Sequence, residues 1–137
     1  LPEMLRNIES YDLVTGSRYL KGIAVVNWPI QRLLLSWLGN LYARRITGLP
    51  ISDLTGGFRC TRSHKLRECG FEKSRSNGYA FQIELNYRLM KSGAKNKELS
   101  FVFIDRSQGA SKLSASTMRE AIWIPWWLRL KSLFRAL

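Results

Sequence analysis

The chain is poor in the residues that most often carry acid–base, nucleophilic and metal chemistry. It has one histidine, His64, and two cysteines, Cys60 and Cys69. These three fit no zinc spacing, and two cysteines are too few for a disulfide framework, so they read as plain buried or half-buried thiols in a reducing setting. Among the 10 acidic residues no two are separated by a single position. The paired carboxylates that usually hold Mg²⁺ or Mn²⁺ against a nucleotide diphosphate are therefore missing. A glycine-rich nucleotide fingerprint and a Ser/His/Asp set are missing too. Long hydrophobic runs are also lacking: "AIWIPWWL" (121–128) has eight residues, against the roughly 20 of a spanning helix. No leader pattern, internal repeat or low-complexity tract is visible.

What is present in excess is positive charge. Twenty-two Lys and Arg against 10 Asp and Glu give a formal net charge of +12. Such a surface favours anionic partners, whether nucleic acid, phosphorylated ligands or an anionic membrane face. Fourteen of the 22 cations are Arg, whose planar fork suits phosphate oxygens, and this tilts the reading toward phosphate. At 137 residues the chain is one domain or part of one. "LPEMLRNIES" opens directly on a helix with Pro2 in its first turn, so the chain reads as beginning inside a fold.

Periodicity gives alternating helices and strands. "DLVTGSRY" (12–19) reads as a buried strand ending at Gly16. Residues 28–50 read as a helix that begins at Pro29 and is stopped by Gly48 and Pro50. "GGFRCTR" alternates like a strand, and "SHKLRECG" (63–70) reads as a short helix capped by Ser63. A longer helix follows over 78–93, then a strand over 97–106. The order implies an α/β sheet domain lacking the first half of its sheet.

Several stretches could carry chemistry. On the helix from Pro29, Leu34, Trp37, Leu38 and Leu41 form an apolar stripe, and Arg32, Ser36 and Asn40 line another face. Arg32 and Ser36, one turn apart, could hold one phosphate, or the face could simply be solvated. "SRY" (17–19) stands at the C-terminal end of a strand, where open α/β sheets gather ligands. In "DRSQGASK" (105–112), Arg106 and Lys112 flank Gly109 and could fold around a diphosphate, or belong to a solvated basic loop. In "DLTGGFRC" (53–60), Gly56 and Gly57 permit backbone angles or close approaches denied to other residues. Asp53 reads as a turn acid, or as an acid that orients a ligand hydroxyl or an arginine. Glu84 is either a surface acid or the partner of a buried Arg.

The tail, 116–137, places Thr117 and Glu120 at capping-box spacing. Trp123, Trp126, Trp127, Leu130, Phe134 and Leu137 fall on one side, Arg129 and Arg135 on another, and Pro125 predicts a kink. This pattern suits a helix lying in a membrane interface or one docked on the core.

The residues of "DLVTGSRYLKG", the Trp28, Arg32 and Ser36 of "NWPIQRLLLS", "DLTGGFR", "GYAFQIE" and "DRSQGASK" stand in the order and spacing of dolichol-phosphate (polyprenol-phosphate) mannose synthases. From about residue 2 to residue 115 the chain resembles that family of inverting glycosyltransferases, with the Rossmann-like GT-A fold. The resemblance implies mannose transfer from GDP-mannose to a polyprenyl or dolichyl phosphate at the cytoplasmic face of a membrane. It implies an acceptor-side portion of a GT-A domain over 1–115 and a basic amphipathic helix over 116–137. The family's N-terminal half, with its paired Asp for Mg²⁺ or Mn²⁺, would lie outside this chain. Arg18, Arg32 and Ser36 would grip the acceptor phosphate, with Asp53 at the same reacting centre. Arg106 and Lys112 would face the donor diphosphate, and Ser17, Gly57 and Arg59 would border the substrates. The chain departs from the family at "KGIAVV", where two glycines are frequent, and at Gly57, where Ser is frequent. Two other readings remain: a related transferase using another sugar such as glucose, and a non-enzymatic basic module for membrane or nucleic acid.

Overall fold

The computed structural model describes residues 1–104 and 115–134 and is mixed α/β. Arg106, Lys112, Arg135 and Leu137, and with them the "DRSQGASK" loop, lie outside the described residues. In chain order the elements are α1 (Pro2–Asn7), β1 (Leu13–Ser17), β2 (Val25–Val26), α2 (Ile30–Thr47), β3 (Arg59–Thr61) and α3 (Ser63–Glu68). A 3-10 turn (Phe71–Lys73), α4 (Gly78–Lys91), β4 (Asn96–Ser100), β5 (Phe103–Ile104) and α5 (Ala115–Phe134) follow.

Strand β1 is the centre of a three-stranded sheet ordered β3-β1-β4, antiparallel to β3 and parallel to β4. All five of its residues are buried, as a strand covered on both faces must be. Side-chain alternation splits them between two cores. Leu13 joins Ala43 of α2, Ala80 and Ile83 of α4, and Ile124 and Leu128 of α5, whereas Val14 joins Met4 of α1 and Leu99. Gly16 lies under Phe58 and Phe101, which meet edge to face with ring centroids 4.9 Å apart. A Cβ there would stand 2.6 Å from the Phe58 ring, so any larger residue displaces the pair. Strands β2 and β5 form a separate parallel pair.

Several local expectations need correction. Strand β1 runs one residue past Gly16, to Ser17. Arg62, not Ser63, holds the N-cap position of α3, and no side chain caps that helix. The strand expected over 97–106 is broken after Ser100, and Phe103–Ile104 pairs with β2 instead. In α2 the apolar stripe faces outward: Leu34, Trp37 and Leu38 are exposed, while Asn40, Ala43 and Thr47 turn into the core.

Glu84 is settled as a partner. Fully buried on α4, it pairs with Arg88 Nη2 at 2.8 Å and accepts hydrogen bonds from the Ser76 hydroxyl and the Arg75 and Ser76 backbone N–H groups. Burial acts to raise its pKa, but the Ser76 and Arg88 hydrogen bonds and the Arg88 charge outweigh that, so it lies below its ordinary 4.5. A depressed folded pKa contributes stability that is present above the ordinary value and is lost as pH falls through the folded one. Glu84→Gln is expected to lower stability at neutral pH by about 1 to 3 kcal/mol. It should also flatten the fall in Tm below the unfolded pKa, which thermal melts across acidic pH will show.

Candidate functional site

The site begins where β1 ends. Arg18 follows the last strand residue and is only 7% exposed, a costly position for a guanidinium without a counterion. Asp53, which is 1% exposed, supplies one. Arg18 Nε donates to its Oδ2 at 2.6 Å and Nη2 to its Oδ1 at 2.7 Å, a fork-on-fork pair. The Arg18 backbone N–H reaches Oδ2 at 3.2 Å, and Nη2 also reaches the Thr55 hydroxyl at 2.8 Å. Burial acts to lower the Arg18 pKa, but the hydrogen bond and charge of Asp53 more than offset it, so the value is raised. The Tyr19, Trp28 and Phe103 rings surround the Arg18 guanidinium at 5.3 to 5.7 Å, within cation–π range.

Trp28 brings in the second arginine. Asn27 takes a left-handed φ of 60°, which asparagine tolerates better than most residues, and turns the chain just before Trp28 and the start of α2. Arg32 then sits 4.2 Å above the Trp28 ring. It occupies the first turn of α2, which holds no acidic residue, and a cation there opposes the helix dipole. A bound anion would remove that conflict, and local rules are most often broken at functional positions. One turn on, Ser36 accepts a hydrogen bond from the Tyr19 hydroxyl at 2.8 Å.

Of the two possibilities open to the glycine pair, the structure shows close approach at Gly56. Neither Gly56 nor Gly57 has a positive φ. Gly56 donates its N–H to Asp53 Oδ1 at 3.0 Å, and a Cβ on it would stand 3.3 Å from that carboxylate, so this position favours the smallest residue. Gly57 is exposed and a Cβ there meets only Gln82 at 3.8 Å. Asn40, expected on a polar face, is the buried brace of the turn. Its Oδ1 accepts the Leu54 N–H at 2.7 Å, and its Nδ2 donates to Thr55 Oγ1 at 3.0 Å. Asn86 holds the other side by donating to the Leu54 carbonyl at 3.1 Å.

Arg59 belongs to this brace. It donates to Asn86 Oδ1 at 3.0 Å, to the Gly56 carbonyl at 2.8 Å and to Gln82. Burial, only partly offset by the charge of Asp53, pushes its pKa down to about 10, so it stays charged at neutral pH. Ser17 is fully buried, and its hydroxyl accepts the Tyr19 N–H at 3.2 Å.

Arg18, Arg32, Ser36 and Thr55 converge on a cavity of about 410 Å³ between α2, α4 and α5. Trp28, Tyr79, Leu38, Tyr42, Met118 and Ile122 are among its other walls. Asp53 stands behind Arg18, while Ser17, Gly57 and Arg59 do not line the cavity. The polar groups gather at the N-terminal half of α2. Along the roughly 15 Å from Arg32 to Tyr42 the lining becomes apolar. Tyr42 fastens the far wall, donating to the Ile122 carbonyl at 2.8 Å and accepting from Trp126 Nε1 at 2.9 Å. Sequence reasoning missed the contribution of α5, because a wall formed by residues as distant in sequence as Tyr42 and Ile122 leaves no local pattern.

Helix α5 itself does two things. Ile124, Pro125 and Leu128 are buried against the core, and Trp127 packs on it half-buried. Trp123, Trp126, Leu130 and Phe134 remain exposed, as do Ile30, Leu34, Trp37 and Leu38 of α2. No described helix is long and apolar enough to cross a membrane. Among the described residues no group of His, Cys, Asp and Glu could hold a metal ion.

No protein-family model matches the chain. It is 38% identical over 122 residues to the undecaprenyl-phosphate mannosyltransferase of Micrococcus luteus, covering 89% of this chain and 50% of that protein. It is 41% identical over 111 residues to the polyprenol monophosphomannose synthase of Mycolicibacterium smegmatis, covering 81% of this chain and 42% of that protein. The chain thus spans about half the length of the curated relatives it matches. At these identities over most of its own residues, the chain is similar to about half of two curated proteins, an undecaprenyl-phosphate mannosyltransferase and a polyprenol monophosphomannose synthase.

Proposed function

We propose that the protein transfers mannose from GDP-mannose to a polyprenyl phosphate at the cytoplasmic face of a membrane, and that the α2–α5 cavity receives the acceptor. Residues 1–115 would be the acceptor-side portion of a GT-A catalytic domain, with 116–137 as its basic amphipathic helix. The observation that carries this reading is one cavity with two arginines on a shared tryptophan at its polar end and apolar walls beyond. A phosphate at that end would meet Arg32, Ser36 and the remaining donor capacity of Arg18. A hydrocarbon chain would follow Leu38, Tyr42, Met118 and Ile122 toward the exposed apolar face.

The chemistry suits this inventory. The acceptor phosphate is anionic at neutral pH, so one of its oxygens can attack the anomeric carbon without a general base. The new C–O bond forms as the bond to the GDP β-phosphate breaks, and GDP leaves with the electron pair, inverting the carbon. The residues' task is to hold an anionic nucleophile in line against an anionic donor and to offset their repulsion. Arg106 and Lys112 would serve the donor diphosphate. Mg²⁺ or Mn²⁺ is expected with the donor, but the described residues do not fit either ion and no step is derived through one.

Membrane association draws support from the outward apolar side chains of α2 and α5 on a chain of net charge +12. The reading is tested with the product of the complete reading frame, GDP-mannose, a polyprenyl phosphate and vesicles. Mannosyl lipid is expected, and its absence with every polyprenyl phosphate overturns the reading. Trp123 is 65% exposed and Phe134 74%. Replacing both with Ser is expected to weaken flotation with phosphatidylcholine vesicles by about tenfold or more, since each buries an aromatic ring in the interface. Tm should stay unchanged.

A further inference from the structure

Helix α5 divides at Pro125. Its earlier part supplies Met118, Ala121 and Ile122 to the wall of the α2–α5 cavity, whereas Ile124 and Leu128, on either side of the proline, are buried in the core. Pro125 has no N–H, so the Ala121 carbonyl, four residues earlier, lacks its usual helical donor. Helices bend most readily where such a rung of the ladder is missing. The wall segment is thus joined to its buried anchor through a turn that holds it less firmly than a regular helix would.

Tyr42 of α2 bonds to both sides of that turn. Its hydroxyl donates to the Ile122 carbonyl at 2.8 Å, before the proline, and accepts from Trp126 Nε1 at 2.9 Å, after it. Glu120 accepts the Asn77 N–H at 3.1 Å and ties the same segment to the start of α4. A phenylalanine at position 42 would line the cavity with the same ring. What the hydroxyl adds is therefore the pair of bonds, and not apolar surface.

We infer that Tyr42 is a positioning residue for the acceptor: its hydroxyl holds the wall segment of α5 closed on the apolar half of the cavity and so sets how firmly a long hydrocarbon chain is gripped. The inference rests on the proposed reading of the cavity as the acceptor site. Tyr42 stands roughly 15 Å along α2 from Arg32. A single isoprenyl group on a phosphate at Arg32 ends short of it and depends little on the clasp. A farnesyl chain is long enough to reach it.

The experiment compares the complete protein with its Y42F variant. The kcat/KM of mannosyl transfer is measured with dimethylallyl phosphate and with farnesyl phosphate, and farnesyl phosphate binding is titrated by calorimetry without GDP-mannose. Y42F is expected to lose about tenfold more of its kcat/KM with the farnesyl acceptor than with the dimethylallyl one, a factor in the range of two lost hydrogen bonds. The loss should appear in KM and in Kd, not in kcat. W126F removes the second bond and leaves the first, so it should show the same bias at about threefold. Equal losses with the two acceptors would make Tyr42 a fastening of the fold alone and overturn the inference, as would no loss with either. A protein that transfers mannose to neither acceptor, yet loses farnesyl phosphate affinity in Y42F, overturns the transfer reading and leaves the clasp standing. Transfer by the unsubstituted protein with no acceptor bias in Y42F does the reverse.

Discussion

Arg32→Ala is expected to lower mannosyl transfer by about 30- to 1000-fold, the equivalent of roughly 2 to 4 kcal/mol of lost electrostatic stabilisation. The size follows from how charge is distributed in the cavity. Arg18 stands closer to the strand ends, but Asp53 already engages its charge through two hydrogen bonds and leaves the pair nearly neutral. Arg32 is the other cation among the described residues that line the cavity, and it stacks on the Trp28 ring. On the proposed reading the acceptor phosphate would meet the Arg32 guanidinium directly. Because Arg32 belongs to the acceptor end, the loss should appear in the use of polyprenyl phosphate, with GDP-mannose binding nearly intact. Arg32→Lys should recover part of the activity, since it keeps the charge but loses the planar fork and its stacking on Trp28. Steady-state kinetics with each substrate varied in turn, and direct GDP-mannose binding, check this. Equal losses for both substrates would remove Arg32 from the acceptor site.

The order of helices and strands was legible in the sequence because each element carries its own punctuation. Pro2, Pro29 and Gly48 mark helix ends, and the burial of Leu13, Val14 and Thr15 follows from a short strand covered on both faces. The pairing of Arg32 with Ser36 was visible as a spacing of four on a helix. The facing of α2 was not legible. Hydrophobic periodicity assumes that the apolar stripe turns inward, and here Asn40 turns inward instead, to satisfy the backbone of the turn at Leu54 and Thr55. An apolar stripe that stays exposed breaks the assumption on which the pattern rests. Asp53 was equally ambiguous in sequence, since a turn acid and a buried counterion have the same local neighbours. The choice depended on Arg18, 35 positions away.

Asp53 ties these observations together. Its carboxylate fixes Arg18 through the side chain and the backbone, accepts the Gly56 N–H, and so ties the end of β1 to the glycine turn. Arg59, Asn86 and Asn40 hold that turn from below. The network keeps the Arg18 fork aimed. Preorganisation of this kind contributes most to catalysis in sites where charge must be held against repulsion.

Asp53→Ala is accordingly expected to cost about 3 to 5 kcal/mol of stability, because it leaves a buried guanidinium without its counterion. The melting temperature should fall by on the order of 10 °C or more. Asp53→Asn should cost less, since the amide keeps one acceptor for the fork and almost the same shape. The Arg18→Met, Asp53→Leu double variant distinguishes stability from function. Replacing both members of a buried pair with apolar groups is often close to neutral, so its melting temperature should lie well above that of Asp53→Ala. Its transfer activity should stay well below that of the unsubstituted protein, because the cavity has lost the Arg18 guanidinium. Thermal melts together with transfer assays on all three variants check this. A double variant as unstable as Asp53→Ala would mean that the ion pair itself, and not the avoidance of an unpaired charge, holds the turn in place.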